Sequence, residues 1–561
     1  MSSIPTIEIK EGFCFQTIEE AKKEIKKFCT MNFHQCSIRN SNKERFTTIC
    51  KSENCTFKIS CNKRKDEKFY ISKFVQQHTC DYLNNRPKVT AQFVADHILD
   101  PIADNPEISV GQIRNNIKRE ANLKVGYLKA WRAKKIAHEV SFGVMKESFK
   151  KIPAFIEKVQ QDGGDAVLET HQTIFKRCYV CLKACKNALK YTLPLIFVDA
   201  CHIKNEYNGV VLAACSIDGN GQIVPIAFGI ADIEDNNNWH WFMENLQNSH
   251  QVIVTKSFAF MSDQEKGIIN ATTAVFPGSQ QCFCVKHIEK NVKKRLDGRA
   301  VVNDLWGAAR CNNLQKFQQH MQNISKKSHE AFIYLDSIDK DAWTLFFASV
   351  SKYGHDTSNV VESFNQWIGT EREKSYLDIL MGVTTKIMTM FHERKLKYSD
   401  TETLYCQKIN NILDSNVTIG RKFEVLPSSN SLFYIRCGRA GDFTLDILNK
   451  TCSCLQFQQM QYPCVHAAAT ISFCRQNIHD YVSHAYKTDN LKQLYSLPIY
   501  PILIDELIPQ NVLPPVVRRL PGRPKKLRIR NRNEDSNSHV TCSLCQQLGH
   551  NKRTCKRWKK N

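Results

Sequence analysis

No apolar run of about 18 residues occurs in this 561-residue chain, so a membrane-spanning helix is not expected. The opening Met1-Ser-Ser-Ile-Pro-Thr lacks the basic start and apolar core of a secretory signal, so export is not expected either. No heptad run argues for a coiled coil. Acids are in short supply: 55 Asp and Glu face 78 Lys and Arg, leaving a formal charge of +23. That excess favours a polyanion as partner, nucleic acid or an anionic membrane surface. What the chain has in quantity is cysteine, 24 residues of it. Without an export signal they belong to a reducing compartment, where metal binding is likelier than disulfides. The length exceeds one hydrophobic core, so three or more domains are expected.

The chain is organised around 193–267. Leu195-Ile196-Phe197-Val198 is fully apolar and ends on Asp199. A second run over 210–217 leads into Asp218-Gly219-Asn220-Gly221, a hairpin turn, and a third covers 223–229. A helix-like segment with Trp239 and Trp241 follows, then Phe258-Ala259-Phe260-Met261, which ends on Ser262-Asp263. Short apolar runs bounded by turn residues read as buried strands. A lone Asp at a strand end is often only a turn cap. If the first and fourth strands are parallel neighbours, however, Asp199 and Asp263 share the sheet edge where ligands bind. Two carboxylates there repel unless a cation lies between them.

Before this core, Cys50-x4-Cys55 and His78-x-Cys80 stand 22 residues apart with strand-like flanks, a set suited to one tetrahedral zinc. Residues 87–192 read as helical and basic. Apolar residues over 89–99 have helical spacing with Pro101 as a stop; a second helix starts with Ser109 as N-cap; a third covers 127–140 with Trp131, Arg132, Lys134 and Lys135. They suit either a helix-turn-helix lying on DNA or a solvated connector. Cys178, Cys181 and Cys185 lack an obvious fourth ligand and read as core thiols.

Beyond Asp263, Cys284-x2-His287 is half a zinc site, and 291–350 is mostly helical with Trp306, Phe317, Trp343 and Phe346 as core. In Ser358-Asn359-Val360-Val361-Glu362, Asn359 and Glu362 fit a capping box, which still allows Glu362 to face a sheet. Strand-like alternation at 433–448 then precedes Cys452-x-Cys454, nine residues, and Cys464-x-His466, a second four-ligand set. Pro501, Pro509, Pro514 and Pro515 mark a linker. Gly522-Arg523-Pro524-Lys525-Lys526-Leu527-Arg528-Ile529-Arg530 follows, and Cys542-x2-Cys545-x4-His550-x4-Cys555 has the spacing of a CCHC zinc knuckle, a module that grips single-stranded nucleic acid. From 518 to 561 there are 14 Lys or Arg against Glu534 and Asp535, about half of the chain's excess charge.

Several of these motifs together resemble one family. Asp199 in Phe-Val-Asp-Ala-Cys-His, Asp263 in Met-Ser-Asp-Gln-Glu-Lys-Gly and Glu362 in Ser-Asn-Val-Val-Glu-Ser-Phe-Asn look like the acidic triad of Mutator-like element (MULE) transposases. Cys284-x2-His287 matches an element that this superfamily shares with hAT transposases. The N-terminal spacing resembles a WRKY-like zinc finger, although the WRKY signature is absent; 452–466 resembles a SWIM zinc finger, and the Gly-Arg-Pro segment resembles an AT-hook.

The resemblance implies an α/β RNase H-like core, a mixed sheet flanked by helices with a helical insertion at about 291–350, plus small zinc modules. The chain then divides into a WRKY-like DNA-binding domain (1–86), a helical, basic, helix-turn-helix-like DNA-binding region (87–192), a DDE core (193–400), a SWIM region (401–500), a Pro-rich then AT-hook-like linker (501–540) and the CCHC knuckle with its basic tail (541–561). It implies a transposase in which Asp199, Asp263 and Glu362 hold Mg²⁺ or Mn²⁺ and cleave transposon ends and join them to target DNA. His287 either contacts the scissile phosphate or fixes the fold. Trp239 or Trp241 stacks on a displaced base or packs in the core. Zinc falls to Cys50, Cys55, His78 and Cys80, to Cys452, Cys454, Cys464 and His466, and to Cys542, Cys545, His550 and Cys555. Arg523, Lys525, Lys526, Arg528 and Arg530 contact DNA. The implied partners are duplex DNA, with single strands at the knuckle, and no membrane; paired element ends suit a homodimer or higher oligomer in the nucleus. The alternative is a domesticated descendant that binds DNA as a transcriptional regulator without cutting it.

Overall fold

The computed structural model describes residues 9–31, 36–80, 89–105, 108–121, 123–142, 145–205, 207–255, 258–295, 298–438 and 441–515. Two compact units are present, Met1–Met145 and Lys146–Asn561. The AT-hook-like segment and the CCHC knuckle lie outside the described residues.

The first unit opens with an antiparallel sheet in the order β1-β5-β4-β3-β2, built from β1 (Cys14–Phe15), β2 (Cys36–Ser41), β3 (Arg45–Cys50), β4 (Lys58–Lys63) and β5 (Phe69–Val75). Helix α1 (Ile18–Met31) buries Ile18, Ala21, Ile25 and Cys29, one stripe at helical spacing, in the same core as Phe46, Phe57, Ile59 and Ile71. Four helices follow: α2 (Ala91–His97), α3 (Leu99–Asp104), α4 (Val110–Ala121) and α5 (Tyr127–Phe142). Pro101 does not stop the first of them. The break falls at Ile98, and Pro101 sits in the first turn of α3, where its missing N–H is not needed. Ser109 caps α4 as expected: its Oγ accepts from Gln112 N at 3.1 Å, and Gln112 Oε1 accepts from Ser109 N at 2.9 Å. The buried side of α5 is made of Ala130, Ala133 and Ala137, small enough to let it approach α2, α3 and α4 closely.

The second unit begins with α6 (Met145–Ser148), α7 (Ile152–Gln161), β6 (Asp165–His171), β7 (Ile174–Cys181) and α8 (Lys183–Ala188). Then come β8 (Leu195–His202), β9 (Val210–Ile217), β10 (Ile223–Ala231), α9 (Asn236–Ser249), α10 (Val252–Thr255), β11 (Ala259–Ser262), α11 (Lys266–Val275) and β12 (Gln281–Phe283). They form a seven-stranded mixed sheet in the order β12-β11-β8-β9-β10-β7-β6. β8 runs parallel to β11, β11 parallel to β12, and every other pair is antiparallel. All eight residues of β9 are buried, as its unbroken apolar run requires of a central strand. Gly209, φ +86°, starts that strand where any Cβ would lie 2.4 Å from the Tyr376 hydroxyl oxygen.

Two segments differ from the sequence reading. Residues 165–181, placed there in a helical DNA-binding region, are the hairpin β6–β7 that widens the sheet beyond β10. The run Cys178-Tyr179-Val180-Cys181 is wholly buried against β10, and Cys178, Cys181 and Cys185 are core thiols. The Pro-rich stretch is no free linker up to residue 515. Leu513 N donates to Thr173 O and Phe175 N donates to Leu513 O, and Gln510 N donates to Lys150 O, so the segment is stitched to β7 and to the start of α7.

After β12, α12 (Val285–Arg295), α13 (Val302–Arg310), α14 (Leu314–Lys327), α15 (His329–Asp336) and α16 (Lys340–Trp343) enclose a separate core that includes Ile288, Leu305, Phe317, Met321 and Trp343, with Trp306 and Phe346 at its margin. The chain returns to the sheet with α17 (Asn359–Trp367) and α18 (Tyr376–Ser399). Helix α19 (Gln407–Gly420) leads to an antiparallel sheet of β13 (Glu424–Pro427), β14 (Leu432–Arg436), β15 (Asp442–Asp446) and β16 (Thr451–Cys452), followed by α20 (Gln456–Met460), α21 (Val465–Phe473) and α22 (Thr488–Leu494).

Candidate active site and metal centres

The register of β8 and β11 decides where the first two acids stand. Phe197 is paired with Met261, so Asp199 and Asp263, each two residues further on, end at the same edge of adjacent parallel strands. Asp263 lies just past β11, where its Oδ1 accepts from Glu265 N at 3.0 Å. The third acid arrives from the far side of the helical insertion. Glu362 occupies the first turn of α17, which packs on β8 and β9. The expected capping box does not form: the N-cap is Ser358, Asn359 is already helical, and no side chain caps the end. Glu362 is therefore released from capping and turns to α12, with Oε2 3.6 Å from Lys286 Nζ and Oε1 3.8 Å from His287 Nε2.

Cys284 and His287 stand where β12 runs into α12. Cys284 N donates to Ser262 O at 2.9 Å, which ties this corner to the end of β11. Ligand atoms of Cys284, His287 and Glu362 all lie within 4.8 Å of one another. The Cys284–His287 pair thus has the third acid as a close neighbour.

The electrostatics bind these groups into one site. Burial, and next the charge of Asp263, push the Asp199 carboxyl up to about 7; Glu362 adds to the rise while His287 opposes it. Burial alone would lower the pKa of His287, but Cys284, Asp263 and Asp199 outweigh it and the imidazole is raised. Burial would raise the Cys284 thiol, yet hydrogen bonds with His287 and Ser358 bring it below its ordinary value.

Two further residues belong here that the sequence reading passed over. Glu234, three residues beyond β10, is pushed up to about 8 by burial first and then by Asp263, Asp199 and Glu265; Trp239 Nε1 donates to its Oε1 at 3.4 Å. The signal existed, since the third apolar run also ends among acids. Asn365 donates Nδ2 to Asp199 Oδ2 at 2.9 Å, and it stands one helical turn after Glu362. Of the two tryptophans, Trp239 is fully buried against Phe242, and half-buried Trp241 lies under the Arg177 guanidinium, 4.5 Å from the ring centroid. Both have packing roles in this structure.

Two cysteine–histidine clusters have the donor set of zinc. In the first unit, Cys50 at the end of β3 and Cys55 in the next turn meet His78 and Cys80 beyond β5. Cys55 Sγ is 3.2 Å from His78 Nδ1, Cys80 Sγ is 3.4 Å from Cys55 Sγ, and Cys50 Sγ is 3.6 Å from Cys80 Sγ. The His78 ring stacks on Phe57 with centroids 4.4 Å apart, which fixes its orientation. In the second unit, Cys452 on β16, Cys454, Cys464 and His466 form the other cluster, also within 4.8 Å. Cys464 is the N-cap of α21, and His466 stacks on Phe443 at 3.9 Å. Thiolate and imidazole ligands at such spacing are what a structural zinc requires.

With this geometry in view, comparison with known proteins assigns transposase-type domains to the chain. More narrowly, residues 195–291 match the MULE transposase domain, residues 6–71 match the MuDR family transposase DNA-binding domain, and residues 437–475 match the SWIM zinc finger. The chain thus resembles Mutator-like element transposases in three segments. The first contains Asp199, Asp263, Cys284 and His287 and stops short of Glu362; the third encloses all four ligands of the second cluster. A transposase for insertion sequence element IS905 of Lactococcus lactis subsp. lactis is 22% identical over 227 residues. That match covers 38% of this chain and 57% of the bacterial protein.

Proposed function

We propose that the protein is a DNA transposase of the Mutator-like type, cleaving transposon ends and transferring the freed strands into target DNA. The reading is supported by Asp199 and Asp263 at the ends of adjacent parallel strands and by the charge of Glu362, carried in on a distant helix, acting on Asp199. The strand order supports an RNase H-like core: β10-β9-β8 antiparallel, then β11 and β12 parallel to β8.

The residues suit hard divalent cations. An Asp199 carboxyl raised to about 7 by burial and by Asp263 is a group whose ionised form lacks compensation, and carboxylate oxygens are the donors that Mg²⁺ or Mn²⁺ prefers. Asp199, Asp263 and Glu362 would hold the ions, which supply a nucleophile and stabilise the leaving oxygen in an in-line displacement at phosphorus. Asn365 orients Asp199 through its 2.9 Å hydrogen bond. His287, whose imidazole is raised by its anionic neighbours, and Lys286 lie beside Glu362, where a phosphodiester would be received.

The zinc modules and the basic tail supply DNA affinity in this reading. The first cluster serves as a WRKY-like finger, the Arg523–Arg530 segment as an AT-hook and nuclear-import signal, and 542–555 as a CCHC knuckle. The direct test is nicking, in Mg²⁺ or Mn²⁺, of duplexes that carry the genomic sequences on either side of the gene, where element ends are expected. The full-length protein should cut and Asp199→Asn should not, although both bind. Equal binding with no cutting by either protein would leave a DNA-binding regulator instead.

A further inference from the structure

A soft ligand stands beside the hard ones. The third acid, Glu362, has a thiol and an imidazole as neighbours, from Cys284 and His287. Cys284 is fully buried just past β12. His287 follows one turn later in α12, its N donating to Cys284 O at 3.0 Å, and Glu362 meets them from the first turn of α17. One ligand atom of each lies within 4.8 Å of the other two, and His287 Nε2 is 3.8 Å from Glu362 Oε1. Bonds of about 2.0–2.3 Å around a tetrahedral ion put ligand atoms about 3.3–3.8 Å apart. The trio is close to that spacing, and a side-chain adjustment of about 1 Å closes it.

The donor set selects the metal. Mg²⁺ prefers oxygen, whereas thiolate, imidazole and carboxylate together suit Zn²⁺. Three protein ligands leave a fourth position for water. The corner is braced from behind, since Cys284 N donates to Ser262 O and Val285 N donates to Asp356 O, both at 2.9 Å. Such bonds hold a ligand set in place before an ion arrives. The core of the helical insertion is built mainly from residues between His287 and Glu362. An ion held by both closes that long loop at its base, where a metal clip restricts the unfolded chain.

We propose that Cys284, His287 and Glu362 bind a zinc ion that fastens the two ends of the helical insertion to each other. The Cys284 thiol gives up its proton to solvent as the ion binds. Glu362 supplies Oε1 to zinc and keeps Oε2, 3.6 Å from Lys286 Nζ, for the cations of the proposed nuclease centre. Only that sharing of Glu362 rests on the nuclease reading; the zinc site does not.

The test is metal analysis of the full-length protein, purified with zinc under reducing conditions. Cys284→Ser should hold about one zinc per chain fewer than the parent, with circular dichroism unchanged. A second measurement needs no variant. Crystals of the unmutated protein grown with zinc should show an anomalous scattering peak, at the zinc edge, between Cys284, His287 and Glu362. Equal zinc in parent and variant would overturn the inference, as would peaks at the two cysteine–histidine clusters and none here. Glu362→Gln with the parent's zinc content would overturn it too, by removing Glu362 from the ligand set. The nuclease reading is judged separately. A protein that shows the peak and nicks no DNA keeps this site and loses that reading, and one that nicks without the peak does the reverse.

Discussion

Asn365 and Asp199 lie 166 positions apart and share a hydrogen bond, Nδ2 to Oδ2 at 2.9 Å. The bond locks α17, and with it Glu362, to the strand that carries the first acid. Asn365 is thus a positioning residue for the site proposed to cut DNA. Replacing it with alanine removes a group that orients a metal-holding carboxylate, and partners of that kind are worth about 10- to 100-fold. Asn365→Ala is expected to lower single-turnover nicking by that factor and to raise the Mg²⁺ concentration needed for half-maximal rate. A lower rate with an unchanged Mg²⁺ dependence would make the bond merely structural.

Acid burial makes the second unit sensitive to pH in a definite direction. Asp199 is raised from 3.8 to about 7 and Glu234 from 4.5 to about 8, burial being the first cause and Asp263 the second. The folded protein therefore holds these protons more tightly than the unfolded chain does. Their stabilising contribution is complete below about pH 4 and is lost as pH rises through about 7 and 8. Buried His250, lowered from 6.5 to about 3, works the other way up to about pH 6.5, so in Mg²⁺-free buffer the melting temperature should fall between about pH 6.5 and about pH 8.5, and Mg²⁺ should restore it at the upper end. Asp199→Asn should flatten the fall. A melting temperature that climbs over this range would contradict the assignment.

Zinc is expected to hold the Cys452, Cys454, Cys464 and His466 cluster together. The small β13–β16 sheet buries few large side chains, Phe433, Ile435 and Leu445 among them, and apparent zinc binding in such modules is worth about 10–16 kcal/mol. His466→Ala should cost about one zinc per chain by elemental analysis and open 424–475 to proteolysis. The seven-stranded sheet, with its own core, should melt within a few degrees of the parent. Full zinc content in the variant would remove His466 from the ligand set.

Salt dependence should report on the basic tail. With 14 Lys or Arg between 518 and 561, the tail offers many phosphate contacts, and each contributes about 0.9 to the slope of log affinity against log salt. A chain ending at residue 515 should bind duplex DNA with a visibly shallower slope. An identical slope would mean that the tail stays away from DNA.

Much of this protein is written locally. Unbroken apolar runs gave away β8, β9 and β11, and a turn of Asp and Gly gave away the β9–β10 hairpin, because strand burial and positive φ act on neighbouring residues. Pairs of Cys and His at fixed spacing marked both described zinc-type clusters for the same reason. Local rules failed where partners come from afar. The Asn359–Glu362 capping box was a sound local solution, yet tertiary packing moved the helix start to Ser358 and turned Glu362 toward Lys286 and His287. Within 165–181 the polar, half-exposed edge strand β6 reads as nothing in particular until β7 pairs with it and β10 pairs with β7. Glu234 looked like one more loop acid, because a pKa shift depends on which charges the fold brings close and not on sequence neighbours. The amino-acid order alone thus determined the strands β8 to β11, the metal-ligand pairs and the acids that follow β8 and β11. Only the tertiary structure decided which acids meet, since long-range approach depends on a packed core assembled from the whole chain.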